Sequence, residues 1–340
     1  MSENSLLLEV RNLRTYFYLR EGTVRAVDGA SFEIGEGQTL GIIGESGCGK
    51  SMTALSILRI VPRPGRIVEG QILLHRALEG GNPYGAREVV DVTALDPRGD
   101  EIRNIRGKEI AMVFQEPMSS LTPVYTIGDQ IMEAILVHQR VHRAEARKRA
   151  IEMLSRVGMP NPEQMVNRYP HQLSGGMRQR SMIAIALSCH PSLLIADEPT
   201  TALDVTTEAQ ILELMRDLRK ELGMSIMYIT HNLGVIAEMV DEVVVMYLGQ
   251  VVERADVVSL FHNPLHPYTR ALLESIPQIG HKSGKKLMSI KGMVPDPYSL
   301  PKGCLFHPRC TQYVAGRCDR QEPELLEGTK GHWVRCLSYT

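Results

Sequence analysis

The stretch GESGCGKS at residues 44–51 places glycines, a lysine and a serine at the spacing G-x-x-x-x-G-K-[ST]. It follows the apolar run TLGII (39–43) and precedes a helical pattern that opens near Lys50. Glycines in this position let consecutive backbone N–H groups wrap a polyphosphate, and the helix start adds the positive end of its dipole. Gly44, Ser46, Gly47, Cys48 and Gly49 would form the cradle, and Met52 closes the contact set. Lys50 would neutralise charge on the β- and γ-phosphates, and Ser51 would ligate Mg²⁺. A plain Gly-rich turn between strand and helix does not require Lys-Ser in this register. Cys48 reads as a tolerated small side chain rather than a nucleophile.

A second stretch, LLIADE (193–198), is apolar until it delivers Asp197 and Glu198. Ligands of α/β proteins bind at this carboxyl end of a parallel strand. Asp197 is placed to hold Mg²⁺, and Glu198 to orient and deprotonate the water that attacks a γ-phosphate. Alone, the pair would read as a strand running into an acidic loop; beside a phosphate loop that reading loses its force. A third stretch, LSGGMRQR (173–180), opens another helix, with Ser174, Gly175 and Gly176 as a second anion-binding start. One chain cannot easily bring two such starts to one phosphate, so two facing chains, each completing the other's site, are expected.

The fourth stretch is GCLFHPRCTQYVAGRC (303–318), followed by Cys336. Cys304, Cys310, Cys318 and Cys336 are spaced C-x5-C-x7-C-x17-C. Four thiolates suit tetrahedral Zn²⁺ or an iron–sulfur cluster. Zinc sites commonly contain tight C-x2-4-C knuckles, which are missing here, and the wide spacing favours a [4Fe–4S] cubane with zinc as the alternative. His307 is read as solvated or as supporting the ligands. A tail this poor in apolar periodicity needs something to fold around, and a metal centre supplies it.

The elements that must position these groups are legible around them. The 340 residues are 43% hydrophobic and 23% charged, with a net charge of −1, ordinary for a globular chain and without the basic surplus of a nucleic-acid binder. The start MSENSLLLEVRNLRTYF lacks a signal-peptide pattern, and no window offers eighteen largely apolar residues, so any membrane role is expected to come through a partner. Strands are expected at 39–43, 192–197 and 225–230, alternating with helices in βαβ fashion. Residues 6–38 predict antiparallel strands turning at REG and GEG, and EVVVMYLGQVVERAD (242–256) predicts a hairpin. TIGDQIMEAILVHQ sets Ile127, Ile131, Met132, Ile135 and Leu136 at helix spacing, and AEARKRAIEMLSRVGM follows as a second helix. After Pro264 one short helix and a linker are expected, then an irregular tail over 290–340. Residues around 76–90, rich in Gly, Asn and Pro, predict an exposed inserted loop with no assigned chemistry.

Taken in order, these motifs resemble the ATPase subunits of ABC transporters, and the resemblance covers nearly the whole chain. Gln115 in VFQEP resembles the Q-loop, which touches Mg²⁺ and water; LSGGM resembles the signature loop, with Met177 where Gln is commoner. Asp204 in ALD (202–204) resembles the D-loop aspartate, His231 in ITHN the switch histidine, and Phe17 the aromatic that stacks on adenine, with Tyr16 as the alternative. With Glu198, His231 and LSGG all present, the subunit does not look degenerate. NPLHPYTRALLESIP followed by GCLFHPRC resembles the di- and oligopeptide import branch, whose relatives also handle nickel and oligosaccharides and include members with a [4Fe–4S] cluster at a matching tail motif.

The resemblance implies an α/β P-loop ATPase core with an antiparallel β subdomain, a helical subdomain at about 118–172 and a small Cys-rich appendage. It divides the chain into a nucleotide-binding domain, 1–255, and an extension, 256–340. It implies ATP and Mg²⁺ as cofactors. As partners it implies a second ATPase subunit, a heterodimer being favoured, with two permease subunits and an extracytoplasmic solute-binding protein, and no nucleic acid. The segment EPMSSLTPVYTIGDQIMEAI resembles the face that grips a membrane subunit, which places the chain peripherally on the cytoplasmic face of the cell membrane. The competing expectation is a soluble ABC ATPase acting as a regulator or mechanoprotein.

Overall fold

The computed structural model describes residues 5–77, 87–116, 120–201, 203–275 and 290–339. The chain packs as two compact units. One is formed by Met1–Leu7, Gly35–Thr39 and Leu95–Ile229, the other by Leu8–Ile34, Leu40–Ala94 and Thr230–Thr340.

The second unit holds most of the first five strands: β1 (Leu6–Tyr18), β2 (Thr23–Gly35), β3 (Thr39–Ile43), β4 (Gly65–Ala77) and β5 (Arg87–Asp91). Four of them form an antiparallel sheet in the order β2-β1-β4-β5, with Leu8 opposite Leu74 and Phe17 opposite Gly65. Part of the expected inserted loop is paired strand: Arg76 faces Glu88 and Ala77 faces Arg87, and the Arg76 Nε donates to the Glu88 carboxylate at 2.9 Å. The Gly/Asn/Pro cluster masked the two arms of a hairpin; its centre, 78–86, lies outside the described residues.

In the same unit β3 runs parallel to β9 (Glu242–Tyr247), Leu40 facing Glu242, and β10 (Gln250–Asp256) returns antiparallel to β9. The tail departs from the irregular chain expected of it. It contributes β11 (Leu326–Thr329) and β12 (His332–Val334), a hairpin whose inner strand pairs with β10 through Glu253–Val334 and Arg254–Trp333. Strands of four and three residues are too short to display alternation in a sequence. One short helix, Pro267–Glu274, lies where it was expected, with Pro267 at its first position; the linker 276–289 lies outside the described residues.

The first unit is a parallel α/β layer: β6 (Ile110–Val113), β7 (Leu193–Asp197) and β8 (Ser225–Ile229), with Leu193 facing Ile110 on one side and Ser225 on the other. Every residue of β7 and β8 is buried, as strands covered on both faces must be. The two expected helices of the middle block are Ile127–His138 and Arg143–Arg156. Ile127, Ile131, Met132 and Ile135 are buried, but Leu136 is 38% exposed, one position past the edge of the apolar stripe. Among the described residues no helix is long and apolar enough to cross a membrane.

Candidate nucleotide site and cysteine cavity

In the unit holding β7, Asp197 closes the strand with only 5% exposure. Glu198 takes a left-handed backbone (φ 46°), unusual for a residue with a Cβ, and its N–H donates to the Ile229 carbonyl at 2.7 Å. The Gln115 Nε2 donates to Glu198 Oε2 at 2.8 Å, and the Thr201 hydroxyl donates to the same oxygen at 2.9 Å. Two carriers of chemistry 83 residues apart are thus joined. Thr201 had no sequence signal, being one of two threonines in an ordinary loop.

The signature stretch forms the expected helix start. Ser174 caps Gly175–Leu187 and accepts from the Met177 N–H at 3.4 Å, and Ser174 and Gly175 are exposed. A Cβ added at Gly176 would stand 2.8 Å from a Thr207 methyl, so the glycine lets the start of the next long helix pass close by. Asp204 caps that helix, Val205–Leu222, accepting from the Thr207 N–H at 3.0 Å and hydroxyl at 2.7 Å. These bonds, the backbone one foremost, hold its carboxyl below the usual range. Asp204 therefore has a local structural role besides any contact with a partner. Ala202 of the same motif lies outside the described residues.

In the other unit the phosphate-loop stretch joins β3 to the helix Lys50–Ile57. Gly44 and Gly49 have φ of 150° and 103°. A Cβ on either would come within 2.2 Å of a backbone carbonyl, that of Met246 or of Ala26. Only glycine fits these two positions. Ser46 and Gly47 are exposed at the tip, and Ser51 and Met52 are half-buried. Lys50 is curled onto the loop, its Nζ donating to the carbonyls of Gly44 at 2.7 Å and Glu45 at 3.1 Å. Cys48 is buried, and burial pushes its thiol above the usual range, in keeping with a filler and not a nucleophile. His231 is exposed immediately before Asn232, the cap of Leu233–Met239. Phe17 packs beside Gly65, where an added Cβ would meet its ring at 2.6 Å. Tyr16 is otherwise engaged: its hydroxyl donates to Asp28 at 2.6 Å and the Arg25 guanidinium lies 5.8 Å from its ring.

The four tail cysteines line one cavity of about 20 Å³ together with His266, Phe306 and His307. All four are free thiols. Burial, with the neighbouring cysteines adding to it, pushes Cys304 up to about 11, and burial also raises Cys310. His307 is turned aside, its Nδ1 2.9 Å from the Cys304 carbonyl oxygen. His266 is wholly buried and pushed down to about 4, so that its neutral Nδ1 accepts from the Tyr268 N–H at 3.0 Å. Among the described residues no group of three or more His, Cys, Asp or Glu side chains is drawn together tightly enough to hold a metal ion.

Two residues without a sequence signal, Arg309 and Tyr268, converge on Glu45 of the phosphate loop. The Arg309 guanidinium donates to both Glu45 carboxylate oxygens, at 2.6 and 3.0 Å, and the Tyr268 hydroxyl accepts from the Glu45 N–H at 2.8 Å. Separations of 264 and 223 residues leave no pattern by which sequence could show it.

Known proteins repeat this organisation. A family model described as ABC transporter matches residues 27–201, and one described as oligopeptide/dipeptide transporter, C-terminal region, matches 252–318. The oligopeptide transport ATP-binding protein AppD of Bacillus subtilis (strain 168) is 51% identical, over 98% of this chain and 97% of its own length. The dipeptide transport ATP-binding protein DppD of Escherichia coli (strain K12) is 44% identical, over 97% and 96%. Among solved structures, the dimeric bacterial ABC transporter cassette MJ0796 superposes with a TM-score of 0.62 at 28% identity, covering 74% of this chain and 99% of its own. CbiO1 from Clostridium perfringens, part of the ABC transporter complex cbiONQ, gives 0.60 at 26%, covering 76% and 92%. With family models matching 27–201 and 252–318 and relatives matched over nearly their whole length, the chain belongs to the ABC transporter family as an ATP-binding subunit.

Proposed function

We propose that this subunit hydrolyses ATP to power import of di- or oligopeptides, or of related small solutes such as oligosaccharides or nickel. The observation that carries this reading is that the likeness does not stop with the ATPase core but continues through 252–318, the region named for oligopeptide and dipeptide transporters. Residues 1–255 act as the nucleotide-binding domain and 256–340 as its extension. The working unit contains a second ATPase subunit, by preference a different one, with two permeases and a solute-binding protein, on the cytoplasmic face of the membrane. An exposed groove on the helical block supports a docked membrane subunit: Tyr125, Met132, Leu136 and Val137 line it, with Asp129, Glu133 and Arg143 at its rim. Val137 is 68% and Tyr125 56% exposed, an apolar strip that a regulator acting alone would leave in water.

Phe17 stacks on the adenine, and Gly44, Ser46, Gly47, Cys48, Gly49, Lys50, Ser51 and Met52 surround the phosphates. Ser174, Gly175, Gly176 and Asp204 serve the nucleotide of the facing subunit. Ser51, Asp197 and the Gln115 carbonyl oxygen are hard oxygen donors that suit Mg²⁺, which supplies charge neutralisation on the phosphates. Glu198 takes a proton from the attacking water as its oxygen bonds to the γ-phosphorus and ADP departs, and His231 steadies the γ-phosphate. The hydrogen bonds from Gln115 and Thr201 fix the orientation of the Glu198 carboxylate. Glu198→Gln is expected to retain ATP binding and to lower turnover about 10²- to 10⁴-fold. Turnover near the unmutated rate removes Glu198 as the base.

The four cysteines fit an iron–sulfur cluster as a donor set: all line one cavity and all are free. A single Zn²⁺ needs four sulfurs about 2.3 Å from one point, whereas a cubane offers separate irons to sulfurs set further apart. Cys304, Cys310, Cys318 and Cys336 would each ligate one iron, and the centre would hold the tail in shape. Anaerobically purified protein is expected to be brown and to contain about four iron and four sulfide per chain; one zinc and no sulfide refutes the cluster.

A further inference from the structure

We propose that Arg309 and Tyr268 are positioning residues for the nucleotide, acting through Glu45, and that Arg309 neutralises a carboxylate that would otherwise repel the phosphates. The inference rests on the reading of GESGCGKS as the ATP phosphate loop. Glu45 is held at every polar handle it has. Its N–H goes to the Tyr268 hydroxyl, its carbonyl receives Lys50 Nζ, and its carboxylate meets Arg309 in a two-pronged pair. The loop residues beyond it, Ser46 and Gly47, are exposed.

Arg309 is well fixed for this task. Its side chain is 3% exposed against 26% for Glu45. Its Nε donates to the Lys291 carbonyl at 3.2 Å, the Tyr247 hydroxyl lies 3.4 Å from Nη1, and its guanidinium sits 5.9 Å from the Tyr247 ring centre. Tyr247, Tyr268, Phe306 and His266 pack as one aromatic cluster behind it, with ring centres 4.7 to 6.5 Å apart. Arg309 is also the immediate neighbour of Cys310, so the chain that lines the cysteine cavity and the chain that grips the phosphate loop are one short segment.

A negative side chain inside a loop built to receive a triphosphate works against binding unless a buried cation compensates it. This gives the clamp a signature that a merely structural contact lacks. The affinity of the full-length chain for the probe adenylyl imidodiphosphate, and KM and kcat of the assembled transporter, test it. Arg309→Met is expected to weaken binding and raise KM about tenfold or more with kcat within about threefold, because an uncompensated Glu45 faces the phosphates. Arg309→Lys recovers part of the loss. Adding Glu45→Gln to Arg309→Met removes the stranded charge and brings affinity back to within about threefold of the parent. Tyr268→Phe, which keeps the ring and the fold, raises KM about three- to tenfold. The proposal is overturned if Arg309→Met binds as tightly as the parent, if the double variant binds as weakly as Arg309→Met, or if Tyr268→Phe leaves KM unchanged. An unmutated chain that binds no nucleotide overturns this proposal together with the phosphate-loop reading, whereas normal binding by the parent with unchanged variants overturns the clamp alone.

Discussion

Glu253→Gln should loosen the tail from the ATPase strand that carries it. Glu253 is 0% exposed on β10, where Oε1 accepts from the Leu265 N–H at 2.6 Å and lies 2.7 Å from His332 Nε2, while Oε2 accepts from the His266 N–H at 2.9 Å. One carboxylate thereby joins β10, the chain entering the helix Pro267–Glu274 and the tail strand β12. A glutamine has only one acceptor oxygen. If that oxygen replaces Oε1, the new NH₂ confronts the His266 N–H; if it replaces Oε2, two donors are stranded. Each buried donor left unpaired costs about 1–3 kcal/mol, so the loss is about 2–5 kcal/mol. Trp333, the chain's one tryptophan, sits beside His332 on β12 and reports this region directly. With a denaturant slope of about 3 kcal/mol per molar urea, the midpoint of the Trp333 fluorescence transition should fall by about 1 M. A shift below about 0.3 M urea at unchanged slope refutes the assignment of Glu253 as the anchor.

Further predictions follow from the same contacts. Gly49→Ala forces a Cβ within 2.2 Å of the Ala26 carbonyl at φ 103°, so it should destabilise the fold by about 2–4 kcal/mol in thermal unfolding and abolish nucleotide binding; normal binding would show that the loop relaxes freely. Asp204→Ser keeps a helix-capping oxygen, so stability should change by less than about 0.5 kcal/mol, whereas Asp204→Ala should cost about 1 kcal/mol. If Asp204 also serves the facing subunit, both variants lower turnover in the assembled transporter, and normal turnover by Asp204→Ser reduces the residue to a cap. Thr201→Val removes a hydrogen bond to the Glu198 carboxylate and should reduce kcat about three- to tenfold with little change in KM; an unchanged kcat would exclude Thr201 from orienting the base.

Sequence and structure agree best where local chemistry dictates local shape. Lys50 and Ser51 sit at a helix start because a glycine loop precedes them, and Glu198 follows an apolar strand that only a covered sheet accommodates. The failures share a different cause. In β10 the pairing skips a residue between Val251 and Glu253, a bulge that no local residue pattern announces. QVVERAD is legible as a strand, but the burial of Val251, Val252 and Glu253 together is not. Leu136 lies in the expected helix but at the exposed edge of its apolar stripe, because helical spacing marks a stripe without marking its edges. The clamp on Glu45 joins positions hundreds of residues apart, and only the packing of the aromatic cluster brings Arg309 to it.

The pairing of β12 with β10 has a consequence for how the chain avoids self-association. β10 is bonded to β9 on one side, and its other side would present bare N–H and C=O groups, a template for any passing strand. His332–Val334 and the Arg335 N–H, which donates to the Val252 carbonyl at 2.8 Å, cover that side. The strand left outermost, Leu326–Thr329, is four residues long and carries a glycine, a poor seed for further addition. During synthesis β10 emerges about 75 residues before its cover. Shortening the chain before His332 is expected to expose this side of β10 and to raise self-association, measurable as an increase in light scattering.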